Sequence, residues 1–281
     1  MGPRLRMRFP CKAIALFAAA AGLAAPAAAH DTWFARLPAT ARGEVLLALG
    51  TGSQFPRQEF PITLAQLQGS GCLGEGARVA SLGWVADRPT ALVLRAPLPR
   101  PVTAALSCWA QLLPFEIEID DATVEVYLRE IGALPAVRER WAALRARGVR
   151  WKESYVKYAR VELAGDSGPA ATDHAGTPAI EGLGLDVRLE AGPAPLRAGD
   201  TLRAQVLRDG RPLAGLPVEL RSDLSPLGLW RHTDAQGRLE LTLPLAARWV
   251  LRGVDLRPSE THADGWDSRF VTLSFEVLPR R

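Results

Sequence analysis

Methionine, lysine, histidine and cysteine are all scarce in this 281-residue chain, and each scarcity excludes something. Met1 and Met7 are the only methionines, so beyond residue 29 no copper(I) site can be lined by soft thioethers. Lys152 and Lys157 are the only lysines beyond that point, and the remaining cations there are arginines. No apolar run approaches the roughly 20 residues that cross a bilayer as a helix. The G-x-S-x-G, H-E-x-x-H and P-loop patterns are missing, as is a G-x-G-x-x-G opening a helix, so no enzyme class is signalled. With 48% hydrophobic and 23% charged residues, the chain is ordinary globular material, which excludes disorder, collagen and coiled coil.

The net charge of +4 suggests an anionic partner until its position is read. Arg4, Arg6, Arg8 and Lys12 lie in residues 1–29, which hold no acid, so the rest of the chain balances at zero. A neutral surface releases few counterions, and no nucleic-acid partner is expected. Residues 1–29 combine this basic start with an apolar stretch at 13–25 and the small residues Ala27, Ala28 and Ala29, the three parts of a secretory signal. Cleavage is expected before His30. A soluble periplasmic protein should result, with no membrane insertion after cleavage. Cys11 precedes the apolar stretch, the wrong side for a lipid anchor.

Two cysteines then remain. In an oxidising compartment Cys72 and Cys108 are expected to form one disulfide closing a loop of about 36 residues, which stabilises by roughly 3–4 kcal/mol on a chain-entropy model. The alternative is a thiolate pair on a metal, but the short C-x-x-C spacing that favours it is absent.

Short alternating segments separated by Gly, Pro and Asp dominate the chain, the pattern of antiparallel β-structure. Strands are expected at 44–49, 91–94, 104–110 and 115–119. Pro135 opens a helix to about 148 in which Val137, Trp141 and Leu144 share a face and Gly148 ends the run. A second short helix at 122–130 fits Val124, Tyr127 and Leu128. Residues 165–182, rich in Gly, Ala, Pro, Ser and Thr, read as a linker. Beyond it, seven strands recur, from Leu185/Val187/Leu189 to Val271/Leu273/Phe275/Val277, with turns such as Asp209-Gly210. The expected fold is mainly β: a signal at 1–29, an N-terminal β-sandwich-like domain at 30–164 with one or two helices inserted, a linker at 165–182, and an immunoglobulin-like domain at 183–281.

Specific residues sharpen this. The run Arg211-Pro212-Leu213-Ala214-Gly215-Leu216-Pro217-Val218, followed by Thr233-Asp234-Ala235-Gln236-Gly237, resembles transthyretin-like and carboxypeptidase-regulatory-like β-sandwiches. Further matches are His30-Asp31-Thr32-Trp33-Phe34, Gly52-Ser53-Gln54-Phe55-Pro56, the stretches from Tyr127 to Gly132 and from Trp151 to Arg160, and the terminal run from Gly265 to Phe275. Together they resemble domain-of-unknown-function family 4198 over nearly the whole chain after the signal. That resemblance implies an exported protein associated with nickel or cobalt uptake, with a membrane metal transporter as partner.

Four histidines carry the metal question. Cleavage before His30 would place an α-amine and an imidazole on one residue, a chelating pair for Ni(II), Co(II) or Cu(II) that needs one or two further ligands. The plain alternative is a frayed terminus. His262 lies among Glu260, Asp264 and Asp267, so His262 and Asp264 are the second choice as ligands, against a solvated loop as the simpler account. His232 reads as a half-buried strand residue and His174 as a free one in the linker. Glu116 and Glu118 should share the outward face of one strand, where a divalent cation or plain solvation could occupy them, as at Asp120, Asp121 and Glu125. Tyr155, Lys157, Tyr158 and Arg160 form a basic aromatic strand suited to stacking on a glycan or peptide, or to pairing with that acidic strand.

The expected function is therefore a non-catalytic accessory to transition-metal uptake. A glycan- or protein-binding sandwich without metal is the alternative, and a copper enzyme built on the terminal histidine is a weaker one.

Overall fold

The computed structural model describes residues 30–38, 44–74, 77–96, 106–163, 176–190 and 195–280. The expected signal at 1–29, His174 and the linker as far as 175 lie outside the described residues.

The chain is mainly β, built of sandwiches with two short helices. In order come β1 (Asp31–Leu37), β2 (Val45–Gly52), β3 (Phe60–Pro61), β4 (Leu67–Gly74), β5 (Ala77–Ala80), β6 (Gly83–Arg88), β7 (Ala91–Ala96), β8 (Leu106–Leu112) and β9 (Phe115–Ile119). Helices α1 (Asp121–Glu130) and α2 (Pro135–Ala146) precede β10 (Trp151–Leu163). There follow β11 (Leu185–Leu189), β12 (Leu196–Arg197), β13 (Thr201–Arg208), β14 (Arg211–Pro212), β15 (Pro217–Ser222), β16 (Ser225–His232), β17 (Arg238–Thr242), β18 (Ala247–Pro258) and β19 (Trp266–Leu278).

A large sheet ordered β16-β15-β18-β19-β10-β8-β4-β5 runs through the molecule. One end faces the sheet of β11, β13, β14 and β17, and alternate residues such as Val206, Leu220, Leu251 and Leu273 close a core between them. The other end faces the sheet β1-β2-β7-β6, and Leu47, Leu49, Leu92, Leu94, Ala110 and Val161 fill that core. The two halves meet where β10 and β19 run parallel, with Glu153 opposite Trp266 through Val161 opposite Ser274. The stretch 165–182 runs from β10, in the large sheet, to β11, in the facing sheet, while the later β19 returns to pair with β10.

Local chemistry explains the exceptions to alternation. β2 reads as a continuous apolar run and is buried along its whole length, because the 53–59 segment covers its outer face. A side chain at Gly52 would come within 2.8 Å of the Trp33 ring, so only glycine allows this cover. Asp120 caps α1 by accepting from the Thr123 amide at 2.9 Å, which takes it out of the candidate cation ligands. Pro135 starts α2, and Gly148 follows its C-cap Arg147 at φ +76°. The cysteines pair as expected: Cys72 and Cys108 face each other across β4 and β8, Cα atoms 4.0 Å apart, in one disulfide.

Candidate functional site

The seam between β10 and β19 carries the most unusual chemistry. Residues of even-numbered β19 and odd-numbered β10 positions share one face, which α1, α2 and the start of β1 cover. Trp141, Trp151, Trp266, Tyr127 and Phe270 pack there with Val124 and Leu128. Into this apolar layer the chain inserts Glu153, which is buried and accepts hydrogen bonds from the Tyr127 hydroxyl at 2.9 Å, the Trp151 indole at 2.8 Å and the Ser268 hydroxyl. Burial raises its pKa in spite of these donors, and pushes the Tyr127 hydroxyl well above its ordinary value.

Four residues further along β10, Lys157 lies on the same face. Its ammonium donates to the His30 carbonyl at 2.8 Å and lies over the Tyr155 and Phe270 rings, 5.2 and 5.7 Å from their centres. It has no carboxylate at ion-pair distance among the described residues. Burial pushes it down to about 8, with Asp31 and Glu153 opposing the shift.

His30 is half-buried, its ring meeting Phe60 edge-on at 4.9 Å. Burial first, and then the Lys157 charge, lower its pKa, so the imidazole is kept neutral. Asp31 is buried; its Oδ2 pairs with the Arg252 guanidinium at 2.8 Å, while its Oδ1 is buried without a hydrogen-bond partner. Arg252 also reaches Glu219 of β15 at 3.2 Å and the carbonyl of Glu130 at the end of α1. One arginine therefore ties β1, β15 and α1 together. The Thr272 hydroxyl adds a bond to the Thr32 carbonyl at 2.6 Å, which fixes β1 against β19.

His262 and Asp264 stand in an open cleft of about 810 Å³ that borders the seam, since Glu153 and Trp266 also line it, together with Glu116, Glu118 and Lys152. His30 is not among its lining residues. Three of these residues are already engaged: Asp264 with Arg147 at 2.9 Å, Glu118 with Arg150 at 2.7 Å, and His262 Nδ1 with the Thr261 hydroxyl at 3.0 Å. Glu118 stands opposite Lys152 and Phe115 opposite Tyr155, so the acidic and basic aromatic strands pair with each other across β9 and β10. Arg160 turns away from them and is buried between Glu162 and Asp186, both at 2.9 Å. His232 is exposed at the end of β16, where the sequence reading had it half-buried.

Among the described residues no group of three or more His, Cys, Asp or Glu is arranged to hold a metal ion. Sequence reasoning missed Asp31, Glu153 and Arg252, whose roles depend on contacts between distant strands. For Lys157 a signal existed in the scarcity of lysine.

No curated protein matches the chain. A family model described as a domain of unknown function (DUF4198) matches residues 27–254, from just ahead of His30 to the middle of β18. That span holds the disulfide, both helices and every charged residue of the seam, and it is most of the sequence: the chain belongs to the DUF4198 family.

Proposed function

We propose that the protein is an exported, non-catalytic accessory that binds a transition-metal cation, nickel or cobalt or also copper, for delivery to a membrane transporter. The observation that carries this reading is the pair at the start of β1. Asp31 holds a buried carboxylate oxygen that takes no hydrogen bond, and the neighbouring His30 offers an imidazole engaged only by an apolar ring. A buried anionic oxygen without a donor is costly, and a cation supplied from solution would satisfy it. Imidazole suits these metals as a borderline donor, and the harder carboxylate oxygen would complete the site and supply negative charge. Processing ahead of His30 would add an α-amine as a third donor from the same stretch of chain. His262 and Asp264 are left out of the ligand set because Arg147 takes both oxygens of Asp264, whereas Arg252 leaves one oxygen of Asp31 without a hydrogen bond. The disulfide supports an oxidising compartment, as the periplasm provides.

Calorimetric titration of protein beginning at His30 with Ni(II), Co(II) and Cu(II) tests the reading. Binding of at least one ion should weaken at least tenfold in His30→Ala and in a form with one extra Ala ahead of His30. Absence of binding by all three ions would turn the reading to a glycan- or protein-binding sandwich.

A further inference from the structure

We infer that the outer edge of β16, with the groove beside it, receives an extended strand of alternating acidic and apolar residues from a protein partner. β16 is the last strand of the large sheet and pairs only with β15 among the described residues, so its other backbone edge has no strand neighbour. Charge, proline and bulges blunt free edges, and β16 has Pro226 and a register shift near its start, but its regular end at 229–232 holds Arg231 as its one charge beside apolar side chains. Leu227 is 77% exposed and Leu224, in the turn before it, 68%. Trp230 is 37% exposed and lies against Gly132 after α1, where an added side-chain carbon would approach the indole to 2.8 Å.

The surface continues past Trp230. Gly132 sits between Ile131 and Ala133, which line a groove of about 220 Å³ completed by Leu134, Val137, Leu213 and Leu216. In the regularly paired stretch Leu229 faces Leu220 and the sandwich core, while Trp230 faces Glu219 and lies on the helix side with the groove; the register on β15 shifts between Leu229 and Ser225, so Leu227 stands at the irregular start of the edge. A strand added along 229–232 would set the side chains of one face on Trp230 with the groove, its far end reaching the exposed Leu227. Backbone hydrogen bonds would supply affinity and the pockets selectivity, the usual division in strand addition.

Charge decides the occupant. Arg231 donates to the Trp230 carbonyl and has no carboxylate partner among the described residues, and Arg211, just ahead of Leu213 in the groove, has none either. From Ser225 to His232 β16 itself contains no acid, so a second copy of this chain paired through the same edge would offer Arg231 no counter-charge. An acidic partner strand does.

The test uses the full mature protein, isotope-labelled, with two blocked octapeptides, one alternating Val and Glu and one alternating Val and Lys. The acidic peptide should shift the backbone amides of residues 225–232, and Arg231→Glu and Leu227→Asp should each weaken it at least tenfold. The basic peptide should leave the wild type unshifted and gain binding to Arg231→Glu. Both substitutions are at exposed positions, and circular dichroism checks that the fold is kept. Unshifted β16 amides with the acidic peptide, or equal binding of the two peptides, would overturn the proposal. So would a dimer in sedimentation that Leu227→Asp dissolves, since it would make the second copy the occupant.

Discussion

The seam at β1, β10 and β19 and the cleft at 259–265 use similar residue types, a histidine beside aspartate with arginine and lysine near, and treat them oppositely. In the cleft the ion pairs lie near water: Asp264 with Arg147, Glu118 with Arg150. Exposed pairs of this kind contribute about 0–1 kcal/mol, because water screens them and long side chains lose freedom in forming them. In the seam Asp31, Glu153 and Arg252 are buried and Lys157 half-buried, and the accounting is incomplete. Glu153 has three donors, Lys157 has a carbonyl and two rings, and Asp31 has one oxygen with nothing. Water does not soften these imbalances, so each shows as a shifted pKa or an orphaned atom. A histidine beside an aspartate in the sequence is therefore uninformative until its burial is known.

Substitutions at the two places should separate them. The largest effect is expected at Arg252→Ala, which leaves Asp31 and Glu219 buried with less counter-charge and should cost about 3–5 kcal/mol in denaturant unfolding. Loss of the Cys72–Cys108 bond through a double Ser variant follows, at about 3–4 kcal/mol on the loop-entropy estimate.

Lys157 gives a pH signature. Its folded pKa of about 8 lies below the ordinary 10.5, so between those values the unfolded chain binds more protons and stability rises with pH. The rise approaches about 3 kcal/mol at full shift, and Lys157→Met should remove it. Above pH 10 the buried Tyr127 and the half-buried Tyr155, whose pKa values are raised, reverse the slope. Smallest of all, Asp264→Asn in the cleft should change stability by less than about 1 kcal/mol. A cost at Asp264 equal to that at Arg252 would erase the distinction between the two regions.

What the sequence could tell follows the same division. Wherever structure depends on near neighbours it was legible. Seven of the nine strands beyond 183 (all but the two-residue β12 and β14), the helix opened by Pro135 and the cysteine pairing carry their signals in local periodicity, turn residues or simple counting. The seam joins Asp31, Glu153, Arg252 and Ser268, spread over most of the chain, through the parallel pairing of β10 and β19. No local pattern encodes which strand lies beside which, and an arginine at 252 looks the same whether it ends in water or between two buried carboxylates.

The most direct test compares one aspartate from each region in the same metal titration. If the buried, unpartnered oxygen of Asp31 completes a cation site with His30, Asp31→Asn weakens binding of the ion that the wild type takes by at least tenfold, while Asp264→Asn leaves it unchanged. Equal affinity in wild type and Asp31→Asn, or loss only in Asp264→Asn, would contradict the assignment of the site to the seam.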